Sequence, residues 1–285
     1  MAKGSGDLES GSGGGGGGAL YPYMIESPQL RWAFIRKVYA IVAFQILATT
    51  AVAAAVNFVH PVRAFFLSHT PASLAVLIPE RTFFSFSFNL NLGLFCVLFS
   101  RNLYDSDMAV LLPMVYFRER HPINLLLLGL FTICISFAVG IACSQQVAVF
   151  DRLSMFSSFL ARVIGKVVLE AAVLTFVVVV GLTLYTFWAA KRGYDFNFLG
   201  PFLSAALLVL IIYCLIQIFI PLGKIGSTIY GCIAAIVFSG FIIYDTDNLI
   251  KRHTYDQYIC AAISLYLDII NLFMALLTAF GATDS

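Results

Sequence analysis

Charge is what this 285-residue chain has least of: Asp, Glu, Lys and Arg together make up 11%, against 60% apolar residues. A soluble domain carries about a quarter charged residues, so a water-soluble protein of the two or so domains that the length suggests is excluded. The formal net charge is only +2, which supplies no strong field for nucleic acid. Cysteine is sparse and unpatterned. Cys96, Cys134, Cys143, Cys214, Cys232 and Cys260 lie in or beside apolar segments without CxxC spacing, so metal and redox chemistry lack support and core packing is expected of them. No cleavable signal peptide is expected, since the first apolar run follows a polar stretch and is too long for a signal h-region.

What the chain has in abundance is long apolar runs. A hydrocarbon core of about 30 Å needs about 20 mostly apolar residues in a helix. Val38–Val59, Asn124–Cys143, Val167–Ala190, Phe198–Ile220, Ser227–Ile250 and Ile259–Phe280 meet that need, and Thr82–Ser100 is a weaker seventh. The runs are continuous and do not alternate every second residue, so they predict helices and not barrel strands. The expected fold is all-α, a multi-pass bundle of seven transmembrane helices. Residues 1–30, with SGSGGGGGG, are expected to be a flexible cytosolic tail, and residues 31–285 the membrane domain.

Two stretches fit this scheme poorly. RNLYDSD separates Thr82–Ser100 from the ten-residue run Met108–Phe117, so the second helix is either run, or both joined around Pro113. VAVFDRLSMFSSFLARVI, 147–164, sets Phe150, Leu153, Phe156 and Val163 at helical spacing opposite Asp151, Arg152, Ser158 and Arg162. That pattern suits an amphipathic helix on the membrane or an ordinary packed loop helix.

Placement of the basic residues orients the bundle. With the N-terminus cytosolic, the inner side holds Lys3, Arg31, Arg36, Lys37, Arg118, Arg120, Lys191, Arg192, Lys251 and Arg252. The outer side holds Arg63, Arg81, Arg101, Arg152, Arg162, Lys166 and Lys224. The excess favours a cytosolic N-terminus.

Three acidic residues fall inside apolar runs, where an Asp costs about 2.5 to 3.5 kcal/mol on insertion scales and marks a functional candidate. Glu170 follows Lys166 by four residues near a helix start, which suits a snorkelling surface pair. Asp245, in GFIIYDTDNLIKRH, precedes Lys251 by six residues and so lies roughly 9 Å deep. Asp268, in SLYLDIINLF, stands in the last run. KRHTYDQY is a short polar turn, so the two helices form an antiparallel hairpin in which residues equidistant from the turn centre share a depth. Equal depth for Asp245 and Asp268 requires a centre between Asp256 and Gln257. The polar stretch is centred nearer Thr254 and Tyr255, which offsets the two by about four residues, ~6 Å. If they meet, two carboxyls in a dry site share a proton and titrate as a coupled pair, a proton-controlled latch; deprotonated, they repel or capture a hard cation such as calcium. The alternative is a buried hydrogen-bonded acid that only holds two helices together.

The string from Gly240 to Phe273 closely resembles the C-terminal signature of the Bax inhibitor-1/Lifeguard family of membrane proteins. ESPQLRWAFIRKVY at 26–39, RERHPINLLLLGLFT at 118–132 and the run Val167–Pro221 with TFWAAKRGYDFNFLGPFL add to the resemblance, which covers about two thirds of the chain; the first and last of these stretches look like the plant Lifeguard branch. The resemblance implies a seven-helix fold with the last helix wrapped by the other six. It further implies a pH-sensitive calcium leak across an intracellular membrane (endoplasmic reticulum, Golgi or vacuole) and suppression of programmed cell death. Asp245 and Asp268 match the family's pH-sensing pair, with calcium as the transported ion and no cofactor. Supporting roles fall to Tyr244, Asp247, Asn271, Glu170 and, as the candidate helix 2 arginine, Arg101. Residues 81–107 and 145–164 depart from the family pattern, and one or both are expected to be unspliced or mispredicted coding sequence. Expected partners are the bilayer, calcium and cell-death or calcium-signalling membrane proteins.

An enzyme is not expected. Tyr244-Asp245 and Asp268 echo the paired aspartates of presenilin-type proteases, but Leu265, Tyr266 and Leu267 stand where glycines would admit a substrate backbone, and no PAL motif follows. A seven-helix receptor would place the N-terminus outside, against the basic bias. The remaining alternative is a non-conducting membrane protein that modulates cell death through partners.

Overall fold

A computed structural model describes residues 28–59, 123–151, 165–219 and 223–284. They form six helices: α1 Pro28–Phe58, α2 Ile123–Asp151, α3 Lys166–Lys191, α4 Leu199–Phe219, α5 Gly223–Lys251 and α6 Tyr258–Asp284, with a 3-10 turn Tyr255–Gln257 before α6. Among the described residues there is no strand. α1, α2, α3, α5 and α6 are long and apolar enough to cross a membrane, and α4 adds the shorter apolar stretch Leu199–Cys214. Six of the seven expected spans thus appear as helices. Thr82–Ser100 and Met108–Phe117 lie outside the described residues, as do most of the tail and Arg101. Two boundaries differ from expectation. α1 starts three residues inside the expected tail, and α2 runs to Asp151, so the first residues of the 147–164 stretch prolong a spanning helix.

Helix ends follow local chemistry. α3 stops where Gly193 takes φ 86°, a conformation that favours glycine, and the Tyr194 N–H reaches back to Ala189 O at 3.1 Å. Asn197 N–H donates to Asp195 Oδ1 at 3.2 Å, shaping the turn before α4, whose first turn carries Pro201. Thr254 and Gln257 cap the 3-10 turn reciprocally, closing the α5–α6 hairpin.

α6 is the centre of the bundle. In its apolar window 83% of residues are buried, against 22 to 44% in the other spans, so the others wrap it and face outward. Their outward faces carry large apolar side chains such as Phe44, Leu126, Phe176 and Ile236, all about 70% exposed, as a lipid-facing surface requires. Lipid tails are as apolar as Leu, so helix association rests on close packing. A Cβ on Gly231 of α5 would stand 2.7 Å from Ala275 O and Ala279 N of α6. On Gly240 it would stand 2.7 Å from Leu203 Cδ2 of α4. The cysteines correct the core expectation in part: Cys143 is buried, but Cys134 and Cys232 are exposed, because an apolar thiol is as well placed against lipid as in a core.

α1 and α2 run parallel: Gln45 pairs with Thr132, Thr49 with Ser136 and Asn57 with Gly140, both numbers rising together. The start of α1, the ends of α3 and α5 and the start of α6 share one end of the bundle, through Trp32 on Phe187, Arg31 on the α5 terminus and Lys37 over Tyr258.

Candidate functional site

The hairpin brings Asp245 and Asp268 together. The Asp245 carboxyl lies within hydrogen-bonding reach of the Ser264 hydroxyl and of the Asp268 carboxyl. Ser264 is the residue that a hairpin centred between Thr254 and Tyr255 sets opposite Asp245, and Asp268 follows one turn later. The four-residue offset therefore holds, and the Asp245 side chain bridges it. Asp268 is 1% exposed and Ser264 5%, and Asp268 Oδ2 has no hydrogen-bond partner among the described residues. Neither carboxyl has a basic partner there. Asn271, three residues on, is buried with its Nδ2 likewise unpartnered, while Tyr244 packs its ring on Gly200 of α4, 3.2 Å from where a Cβ would stand.

The opposite side of α6 is anchored by neutral hydroxyls. Tyr266 OH and Thr49 Oγ1 are 2.7 Å apart, and since Thr49 donates to Gln45 O at 2.8 Å, Tyr266 is the donor between them. Ser136 Oγ lies 3.1 Å from Thr49 Oγ1, and Gln45 Nε2 donates to Thr132 Oγ1 at 3.0 Å. The central helix is thus pinned on one side to α1 and α2, and presents its aspartate to α5 on the other.

Other expected site residues fall elsewhere. Glu170 forms the exposed surface pair foreseen for it, 3.6 Å from Lys166. Asp247, expected to support the pair, instead faces the opposite way. Its Oδ1 is 2.5 Å from Lys251 Nζ, both side chains fully buried, and its Oδ2 accepts from the Phe196 N–H at 3.3 Å. Asp195, in the α3–α4 turn, adds a bond to Arg252 at 2.5 Å and a contact to Lys251 at 3.9 Å. Burial works against the Asp195 charge, but the Arg252 guanidinium more than offsets it and holds the carboxyl below its ordinary range. Beside this network Arg31, fully buried, donates to the Leu249 and His253 carbonyls, a cation at a helix C-terminus. Burial, with Arg31 and Arg252 close by, keeps the His253 imidazole below its usual pKa although Gln257 accepts at 3.1 Å. Reading Lys251 and Arg252 only as interface markers missed this network; the i,i+4 spacing of Asp247 and Lys251 was its signal.

Comparison with known proteins places the whole arrangement. The family model for inhibitors of apoptosis-promoting Bax1 matches residues 31–285, starting where the tail was expected to end. The chain belongs to this Bax inhibitor family. LIFEGUARD 4 of Arabidopsis thaliana is 53% identical over 278 residues, 98% of this chain and 96% of that protein. LIFEGUARD 2 of the same plant is 51% identical over 279 residues, 98% of each. A Golgi anti-apoptotic protein of vaccinia virus is 34% identical over 251 residues, 88% of this chain and 86% of its own. None of these names denotes an enzyme. A Bax inhibitor family protein is therefore what carries the pair between α5 and α6.

Proposed function

We propose that this protein is a pH-sensitive calcium leak of an endomembrane that restrains programmed cell death, and that Asp245 and Asp268 are its gate. The observation that carries the reading is the pair itself: two carboxyls side by side between the central helix and its neighbour, with no basic side chain among the described residues to neutralise them. Such groups cannot both ionise cheaply in a dry site, so proton occupancy sets whether α5 and α6 attract or repel at mid-helix. Two carboxylates and the Ser264 hydroxyl offer fewer oxygens than the six to eight that calcium takes, and no cluster of three or more His, Cys, Asp or Glu exists among the described residues. The pair suits a cation in transit that keeps part of its water.

A count of seven spans is part of the proposal. Because α1 and α2 are parallel, the chain joining them must recross the bilayer an odd number of times. A cytosolic N-terminus fits the basic residues as well: Arg31, Arg36, Lys37, Lys191, Arg192, Lys251 and Arg252 are at the end where α1 starts, while Lys166 and Lys224 are at the other.

The test is calcium efflux from liposomes across a pH series, for wild type, Asp245→Asn and Asp268→Asn. A pH-dependent leak that becomes pH-independent in both variants is the expected result. No efflux above empty liposomes at any pH, from folded protein, overturns the channel and leaves a non-conducting protein acting through partners.

A further inference from the structure

α1 and α3 meet at the Arg31 end, where Trp32 stacks on Phe187, and nearer the other end they enclose a cavity of about 420 Å³. Ile269 and Ile270 of the central α6 floor it, and it opens sideways to lipid past the exposed Thr50, Leu169 and Phe176. Its walls run from Ile46 to Asn57 on α1 and from Val168 to Val179 on α3. That is ~16 Å of each helix, or about half of a ~30 Å hydrocarbon core. Asn57 ends the apolar span of α1, whereas Ile269 and Ile270 stand near the middle of α6, so the cavity reaches from the membrane surface to the midplane. Its size and apolar lining are those of a small-molecule site.

Hydrogen bonding selects the ligand. Among the described residues the polar side chains of the walls have spent their donors. Thr49 donates to Gln45 O at 2.8 Å, Thr50 to Ile46 O at 2.8 Å and Thr175 to Ala171 O at 2.7 Å. Asn57 Nδ2 donates to Ala53 O at 2.8 Å and reaches Gly140 O at 3.4 Å. Only the weak Cys143 thiol is left on the donor side. An acceptor is free: Asn57 Oδ1, buried at the surface end of the cavity, has no hydrogen-bond partner among the described residues. A phospholipid would bring ester and phosphate oxygens, which only accept, and Lys166 at that end of α3 is engaged by Glu170 at 3.6 Å. A sterol brings one hydroxyl donor on an apolar body, and its rigidity keeps the cost of ordering low. We infer that the cavity is a sterol site: the body lies between α1 and α3 against α6, and the hydroxyl donates to Asn57 Oδ1. The site stands apart from whatever the aspartate pair passes.

The test is photolabelling of the full-length protein in liposomes, with labelled peptides read by mass spectrometry. Three probes are used at equal content: a diazirine sterol with its hydroxyl free, the methyl ether of that sterol, and a phosphatidylcholine with a diazirine in its acyl chain. The sterol should label residues within 46–57 and 168–179, and unlabelled sterol should compete. The ether should label them about fivefold less, the loss expected of one neutral hydrogen bond. Asn57→Leu should lower sterol labelling to the level of the ether, and Ala172→Phe, at the exposed mouth, should abolish both. The sterol–ether comparison is made on the wild-type chain, so it decides the case even if Asn57→Leu fails to fold. Equal labelling by sterol and ether overturns the site. So does phosphatidylcholine labelling of the same residues that sterol cannot compete, which gives the cavity to acyl chains. No labelling there by any probe also overturns it and leaves the cavity to the protein itself.

Discussion

Asp245 and Asp247 are two residues apart on one helix and have opposite chemistry. Two positions on a helix differ by about 200°, so Asp245 faces α6 and Asp247 the turn before α4. Four residues after Asp247 comes Lys251, but four after Asp245 comes Leu249. The first carboxyl therefore meets another acid and the second a base. A buried acid's role is set by what its helix places one turn away and by the element it faces; depth alone does not decide it.

Removing a cation on the Asp247 side should have the largest effect on stability. Lys251→Met leaves Asp247 buried without its close partner and should cost about 3 to 5 kcal/mol in unfolding measured in detergent, whereas Asp247→Leu with Lys251→Met should recover most of the loss. A harmless Lys251→Met would remove the distinction between the two aspartates. On the Asp245 side the helices are held by fit: Gly231→Ala drives a Cβ to 2.7 Å from Ala275 O and should cost roughly 1 to 3 kcal/mol, read in the same assay.

Acid should act at the turn in a known direction. The His253 pKa is lowered in the folded state, so the unfolded chain takes up its proton first, and stability present above the unfolded value of about 6.5 is lost as pH falls through the folded value. Melting across pH 7.5 to 5 should show this as a difference, the wild type losing stability relative to His253→Gln as pH falls, whatever opposite drift the aspartate pair adds to both chains. Asp195, whose pKa is also lowered, contributes stability above its unfolded value near 4 that disappears only in stronger acid, so its arm of the network stays charged across the physiological range. Smallest of all, Tyr266→Phe removes one neutral hydrogen bond to Thr49 and should cost about 1 kcal/mol, while Glu170→Gln on the lipid-exposed pair should change stability by less than about 0.5 kcal/mol.

Much of this was legible in the sequence, because apolar run length fixes a spanning helix almost by itself. Four of the six helices match the expected runs within four residues at each end, while α1 starts ten residues before its run and α2 ends eight after its own, and the polar turn KRHTYDQY predicted the hairpin and its four-residue offset. Ser264 was passed over because a lone serine in an apolar run carries no signal until the offset puts it opposite Asp245. The Tyr266 anchor depends on α1 and α2 being parallel, which no local pattern encodes. Asp195 lies over fifty residues from Arg252, so its partner was visible only once α3, α4 and α5 met at one end.

The most direct test of the contrast is calcium efflux against pH for Asp245→Asn and Asp247→Asn side by side. Efflux that no longer varies with pH in Asp245→Asn, together with efflux in Asp247→Asn that keeps its pH dependence, is what the account predicts. The same response from both variants, or loss of pH dependence in Asp247→Asn alone, would contradict it.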